Sequence, residues 1–219
     1  AAPPHRVTVD SDIPIGKGMG SSAALRVAAA AALEASRGEV RLERVFRSAA
    51  GAEGHSDNAA AAVHGGLVAV GPGGEIRRLA LHPSLVVAVA VPDQALSTDE
   101  ARMVLPAEVS RGVAVRTAAR IAFLVEGLRT ADPDAFREAA GDELHEQPRH
   151  HLSPLSFAVA GAARDAGALH AAWSGAGPSV IAITTEDHID AVHHIMEEAL
   201  GGLGVVLEPG VDREGVRIG

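Results

Sequence analysis

Cysteine is absent from the 219 residues. That rules out disulfides and a thiolate nucleophile, and it suits a reducing compartment. Aromatic side chains are scarce at 2%, so Ala, Val, Leu and Ile must fill the core. No apolar run approaches the ~20 residues of a membrane-spanning helix, and the first residues do not form a basic-then-apolar signal. Basic charge is also in short supply: 19 Lys and Arg stand against 28 Asp and Glu, a formal net charge of −9. Nucleic acid is therefore disfavoured as the main partner. A small phosphorylated ligand remains compatible, because a nest of backbone N–H groups acts at short range. The hydrophobic content of 47% marks a globular chain, long enough for a sizeable core in one domain or two small ones.

The most informative stretch is Pro14-Ile15-Gly16-Lys17-Gly18-Met19-Gly20-Ser21-Ser22-Ala23-Ala24. Alternating glycines tolerate positive φ and let other groups approach the backbone. Ser21 and Ser22 are candidates to start a helix. From Ala23 to Ala35 nearly every residue is a strong helix former, and Gly38 is placed to end the run. A glycine loop feeding a helix N-terminus suits phosphate. It is not a Walker A loop, since no Gly-Lys-Ser/Thr closes it, and not a nucleophile elbow, since neither serine sits in Gly-x-Ser-x-Gly. Gly18 to Ala23 does satisfy the dinucleotide pattern Gly-x-Gly-x-x-Ala, with Glu39 at ribose distance. Ser11-Asp12-Ile13-Pro14, however, separates the loop from any strand, and Arg41 to Phe46 reads as helix where a second strand belongs. A plain glycine turn before a helix is the remaining alternative.

Along the chain, Val7-Thr8-Val9 reads as a strand, 41–50 as a second helix, and the alanines after Asn58 as a helix stopped by Gly65-Gly66. Leu67–Val70 and Ile76–Leu81 form a hairpin, and Ser84–Pro92 is a buried central strand. Ser97 to Glu100 is a capping box. Helices are expected over 107–129, 133–145, 153–166 and 188–200, and strands over 168–173, 179–184, 205–207 and 215–218. The domain boundary falls before Ser84, giving 1–83 and 84–219.

The glycine stretch resembles the ATP-binding motif of the GHMP kinases, the galactokinase, homoserine kinase, mevalonate kinase and phosphomevalonate kinase superfamily. Its signature, Pro followed by small variable positions and Gly-Leu/Met-Gly-Ser-Ser-Ala-Ala, is matched from Pro14 to Ala24. Ser174-Gly175-Ala176-Gly177-Pro178-Ser179 resembles the third family motif, a glycine loop folding over the nucleotide loop. Glu53-Gly54-His55-Ser56-Asp57-Asn58 resembles the Glu-Gly-His-Pro-Asp-Asn segment of the homoserine kinase branch. The resemblance implies an α+β fold, with a ribosomal-protein-S5-like N-terminal half and a ferredoxin-like C-terminal half. It also implies a family motif of the type Pro-x-Ser-x-Asn-Leu-Gly-x-Gly-Phe-Asp ahead of the glycine loop. Nothing in the sequence matches that motif, so the N-terminal half is read as truncated.

By the same resemblance, the ATP-binding residues are Pro14 to Ala24 together with Ser174, Gly175 and Gly177. His55 and Asn58 would contact a hydroxy amino acid. Arg102, within Ala-Arg-x-x-Leu-Pro, and Arg149, in Leu-His-Glu-Gln-Pro-Arg, which resembles the family's Leu-His-x-Pro-Tyr-Arg, would hold its carboxylate, a task that suits the planar guanidinium fork. Magnesium would arrive with ATP and use Ser21 plus a glutamate. The family's first glutamate aligns with Gly51; Glu53 would substitute for it only with a shift of the loop. No catalytic base is implied, the γ-phosphate itself taking the proton. The 11 histidines form no tight metal-ligand pattern. The implied activity is ATP-dependent phosphorylation of the L-homoserine hydroxyl in threonine biosynthesis, by a cytoplasmic enzyme with a homodimer left open. The alternatives are a mevalonate-type GHMP kinase, or an impaired fragment that only binds nucleotide.

Overall fold

The alanine run after Gly20 sets the first packing surface. In the computed structural model, which describes residues 6–54 and 56–218, α1 spans Ser21–Ser36 and buries Ala23, Val27, Ala30 and Ala31 along one stripe. That stripe meets Val45, Phe46 and Ala49 of α2 (Leu42–Glu53) and Ala59, Ala60 and Val63 of α3 (Asp57–His64). The short β1 (Leu67–Val70) and β2 (Ile76–Leu79) pair antiparallel, and Val68, Val70 and Ile76 cover the same core. The described residues fall into two compact units. The first holds those before Gly16, Gly20–Leu79, and those from Asp212 onward; the second holds Gly16–Met19 and Ala80–Val211. Each unit is assembled from more than one stretch of chain.

Two expected strands of the first unit do not form. Val7 and Val9 are 55% and 50% exposed and lie in irregular chain. β-Branched residues favour a pleated, half-buried surface, and no neighbouring strand supplies one. Residues 215–218 are irregular as well. Instead of joining a sheet, the Val216 N–H donates to the Val63 carbonyl at 3.1 Å, and the Gly66 N–H donates to the Asp212 carbonyl at 2.7 Å. This returning segment packs so closely that a methyl group on Gly65 would sit 2.5 Å from the Gly215 nitrogen.

The second unit is built on β3 (Leu85–Pro92), an interior strand of the four-stranded antiparallel sheet β4-β5-β3-β6. β4 is His170–Trp173, β5 Val180–Thr185 and β6 Gly204–Leu207. Ala88, Ala90, Val180, Ala182 and Val206 line the sheet's buried face. They pack on Val159, Ala160 and Ala163 of α8 (Pro154–Asp165) and on Val192, Met196 and Leu200 of α9 (Ile189–Leu200). Small residues on the strands and larger ones on the helices fill this core almost without rings. The split β-α-β arrangement is the ferredoxin-like order expected of the C-terminal half. No helix of the described residues is long and apolar enough to cross a membrane.

The helices between β3 and β4 depart most from the sequence reading. α4 (Thr98–Met103) has the expected capping box between Ser97 and Glu100. α5 (Arg111–Thr130) starts later than Ala107, because the Ser110 hydroxyl accepts from Val113 N–H and fixes the start. The single helix expected over 133–145 is interrupted. α6 (Pro133–Glu138) stops ahead of Gly141, whose φ is +86°, and the Asp142 carboxylate then accepts from the N–H groups of Leu144 and His145. A side-chain turn of this kind competes with helix. α7 (Glu146–Arg149) and a 3₁₀ turn (His150–Leu152) lead on to α8.

Glu143, in the interrupted stretch, accepts from Arg116 Nε and Nη2 at 2.8 and 2.6 Å and from Arg120 Nη1 at 2.6 Å. These bonds hold its carboxyl down to about 2, below the ordinary 4.5. The unfolded chain therefore takes up this proton first as pH falls, and the clamp's stabilisation is lost between pH 4.5 and about 2. Melting curves of wild type and Glu143→Gln should differ most above pH 4.5 and converge toward pH 2. A gap that stays constant across that range would show that the clamp does not set the acid sensitivity.

Candidate active site

Gly16, Gly18 and Gly20 have φ values of +71°, +79° and +77°, while Lys17 and Met19 between them do not enter the left-handed region. Alternation of this kind is the backbone pattern from which N–H nests form. Residues 16–19 are held inside the second unit by the Ser174–Ser179 turn. The Ser174 hydroxyl donates to the Gly18 carbonyl at 2.9 Å, and the Ser179 N–H donates to the Lys17 carbonyl at 3.2 Å. The turn is closed by Ser174 N–H to Ser179 O at 2.8 Å and by Gly177 N–H to Ser174 O at 2.9 Å. The two glycine loops of the sequence analysis therefore meet.

The Lys17 side chain turns away from the loop: its ammonium donates to the carbonyls of Pro92, Asp93 and Gln94 at 2.6, 2.8 and 2.9 Å. A lysine has three donors, so none is left over for a phosphate, and Lys17 would serve a nucleotide through its backbone. Of 19 lysines and arginines, Lys17 is the only lysine.

In the first unit, Gly20 occupies the cap position of α1 and no side chain caps the helix. Ser21 and Ser22 are the first helical residues, not caps, so the first-turn N–H groups are not taken up by a side-chain cap. Glu53, the last residue of α2, reaches this end of α1. Its carboxylate accepts from the Ser22 hydroxyl at 3.1 Å and pairs with Arg26 at 2.6 Å. Arg26, which the sequence reading passed over, also donates to the Ala52 carbonyl. Gly51 lies two residues before Glu53, about 200° around the helix. A side chain there would meet nothing within 4 Å. Ser21 is partly buried one position before Ser22. Asn58 is exposed at the start of α3, and a methyl on Gly20 would lie 3.9 Å from its carboxamide carbon. Pro14 is partly buried and Ile15 is 86% exposed. His55 lies outside the described residues.

The two arginines predicted to hold a carboxylate come together within the second unit. Arg149 is only 6% exposed, and its Nε donates to the Ala101 carbonyl at 2.8 Å, next to Arg102 in α4. Arg149 Nη1 approaches the Gly175 carbonyl at 3.5 Å. Burial lowers the Arg149 pKa; Asp142 acts against this, and the like charge of Arg102 adds to it. A buried cation with a second cation nearby is an environment that suits an anionic ligand. Arg102 itself is exposed.

With a helix, not a strand, following α1, the dinucleotide reading of Gly18 to Ala23 loses its context. The description "GHMP kinases N terminal domain" matches residues 2–66, and "GHMP kinases C terminal" matches residues 124–202. The homoserine kinase of Moorella thermoacetica is 42% identical over 183 residues, which are 82% of this chain and 62% of that protein. The homoserine kinase of Gloeobacter violaceus is 37% identical over 219 residues, 99% of this chain and 73% of that protein. The crystal structure of homoserine kinase from Cytophaga hutchinsonii superposes with a TM-score of 0.86 at 28% identity, covering 94% of this chain and 69% of that one. This chain thus spans 62–73% of the length of these two sequence relatives. On the two family models and on this degree of identity, the chain belongs to the homoserine kinase family of the GHMP kinases.

Proposed function

We propose that the chain transfers the γ-phosphoryl group of ATP to the side-chain hydroxyl of L-homoserine, the step that the family resemblance assigns to threonine biosynthesis. The hydroxyl oxygen forms a bond to the γ-phosphorus, the bond to the β–γ bridging oxygen breaks, and the hydroxyl proton passes to phosphate. Such a reaction depends mainly on positioning and charge stabilisation. The observation that carries the reading is the uncapped start of α1 after three left-handed glycines. Free N–H donors and the positive end of a helix dipole favour a polyphosphate there. Within the second unit, Arg149 and Arg102 offer positive charge suited to an amino-acid carboxylate; within the first, Asn58 offers a mixed donor and acceptor suited to a polar substrate.

Magnesium fits as an ion carried by the nucleotide. No group of three or more His, Asp or Glu able to hold a metal occurs among the described residues. Mg²⁺ commonly takes one or two carboxylates and fills its shell with phosphate and water oxygens. Glu53 would be that carboxylate, oriented by Ser22, with Ser21 the next residue toward the glycine loop; Gly51 faces away. Bound there, the ion would neutralise charge on the phosphates. Glu53→Gln keeps the shape and removes the charge. The Mg²⁺ concentration giving half-maximal rate should rise about tenfold to a hundredfold, and an unchanged requirement would move the ion elsewhere.

The reading is tested by incubating the purified chain with Mg·ATP and L-homoserine, mevalonate or galactose and following ADP release. Release with homoserine alone supports it. Release with mevalonate and not homoserine would replace it with the mevalonate-type alternative.

A further inference from the structure

Lys17 sits in a ring of close polar contacts within the second unit. β3 ends at Pro92, where its register with β6 also ends, and the carbonyls of Pro92, Asp93 and Gln94 converge on the lysine ammonium. From Gln94 the circuit continues through its side chain. Nε2 donates to the Leu152 carbonyl at 2.7 Å, and Oε1 lies 3.1 Å from the Ser153 hydroxyl. Ser153 Oγ is 2.7 Å from Ser156 Oγ, and the Ser156 hydroxyl donates to the Pro178 carbonyl at 2.5 Å. Both serines are fully buried at 0% exposure. The next N–H, that of Ser179, donates back to the Lys17 carbonyl. The loop is thereby gripped at one residue from two sides, by its side chain and by its backbone.

We propose that Lys17 is a positioning residue: it moors the nucleotide loop to the end of β3 and does not itself bind phosphate. The inference rests on the reading of that loop as the ATP site. A compact ammonium with three donors matches three converging carbonyls. The planar, five-donor guanidinium has the wrong shape and reach. That geometry accounts for a lysine at this one position in a chain that otherwise uses arginine for every such charge.

Because Lys17 is the sole lysine, its amine can be followed by mass spectrometry after brief treatment with acetic anhydride, with Nα-acetyl-lysine as a free reference. Acetylation should be at least about a hundredfold slower than the reference with or without Mg·ATP, and rapid in urea. Rapid acetylation without nucleotide would overturn the proposal, whether or not ATP then protects. This part needs no variant, so it stands even if a substitution fails to fold. In titrations with a fluorescent ATP analogue, Lys17→Met and Lys17→Arg should each weaken binding tens-fold. Ser153→Ala, remote from the loop, should weaken it several-fold and add little on top of Lys17→Met, as expected for members of one network. Wild-type affinity in Lys17→Arg, or full additivity with Ser153→Ala, would refute the mooring while leaving the ATP site intact. Failure of the wild-type chain to bind the analogue would remove the ATP site and the mooring together.

Discussion

A Gly18→Val variant will not bind ATP. A Cβ at this position would lie 2.2 Å from the Ser174 carbonyl oxygen, 2.8 Å from that of Gly177 and 2.9 Å from the Gly177 nitrogen. All three are backbone atoms, so no rotamer change relieves the clash. The φ of +79° adds a left-handed penalty of about 1–2 kcal/mol for any L side chain, and more for a β-branched one. The loop must then leave the 174–179 turn and lose the bonds to Ser174 and Ser179, each worth about 0.5–1.5 kcal/mol. The combined loss of several kcal/mol corresponds to roughly 10³-fold or more in affinity. Gly16→Ala is the matched control: its φ is +71°, but nothing lies within 4 Å of the new methyl. It should lose only the backbone term, about tenfold. Calorimetric titration with ATP and far-ultraviolet circular dichroism on both variants check this, because the sheet and its helices should persist in each. ATP bound by Gly18→Val as by wild type would place the nucleotide elsewhere.

Arg149→Met should separate substrate binding from stability. The guanidinium is buried, with the Asp142 carboxylate and the like charge of Arg102 both acting on it. Replacing a buried charge by an apolar side chain of similar length is often neutral or stabilising. Here the lost bond to the Ala101 carbonyl, about 1 kcal/mol, offsets part of that relief. The melting temperature should therefore move little. Two charge-assisted bonds to a carboxylate, at about 1.5–3 kcal/mol each, disappear at the same time. KM for homoserine should rise on the order of a hundredfold or more, with ATP affinity nearly unchanged. Arg149→Lys should recover only a fraction, because an ammonium lacks the bidentate fork. An unchanged KM in Arg149→Met would remove Arg149 from the substrate site.

What the sequence made legible follows from how local each signal is. The glycine loop, α1 and the Ser97 capping box are written in neighbouring residues, and they form as read. The break at Gly141-Asp142 was hidden because the turn after α6 is held by hydrogen bonds from Leu144 and His145 to the Asp142 side chain, with no strong breaker such as proline. Val7–Val9 and residues 215–218 have strand-forming residues, but a strand needs a partner edge, which sequence pattern does not supply. The contact of Glu53 with Ser22 and Arg26 depends on the helix phase of α2, which turns Glu53 toward α1. The hold on Lys17 was out of reach of spacing arguments, since its acceptors lie 75 to 77 residues away.

Neither compact unit is a continuous stretch of chain. On the ribosome, α1 to β2 emerge early, but Val216 and the Asp212 carbonyl that complete their packing arrive only after the whole sheet has been synthesised. Gly16–Met19 experience the reverse, made long before the turn at Ser174 for which they wait. A gene divided anywhere between codons 80 and 211 would yield two polypeptides, neither carrying every part of either unit. Fragments of this protein can regain the native arrangement only by recombining with each other.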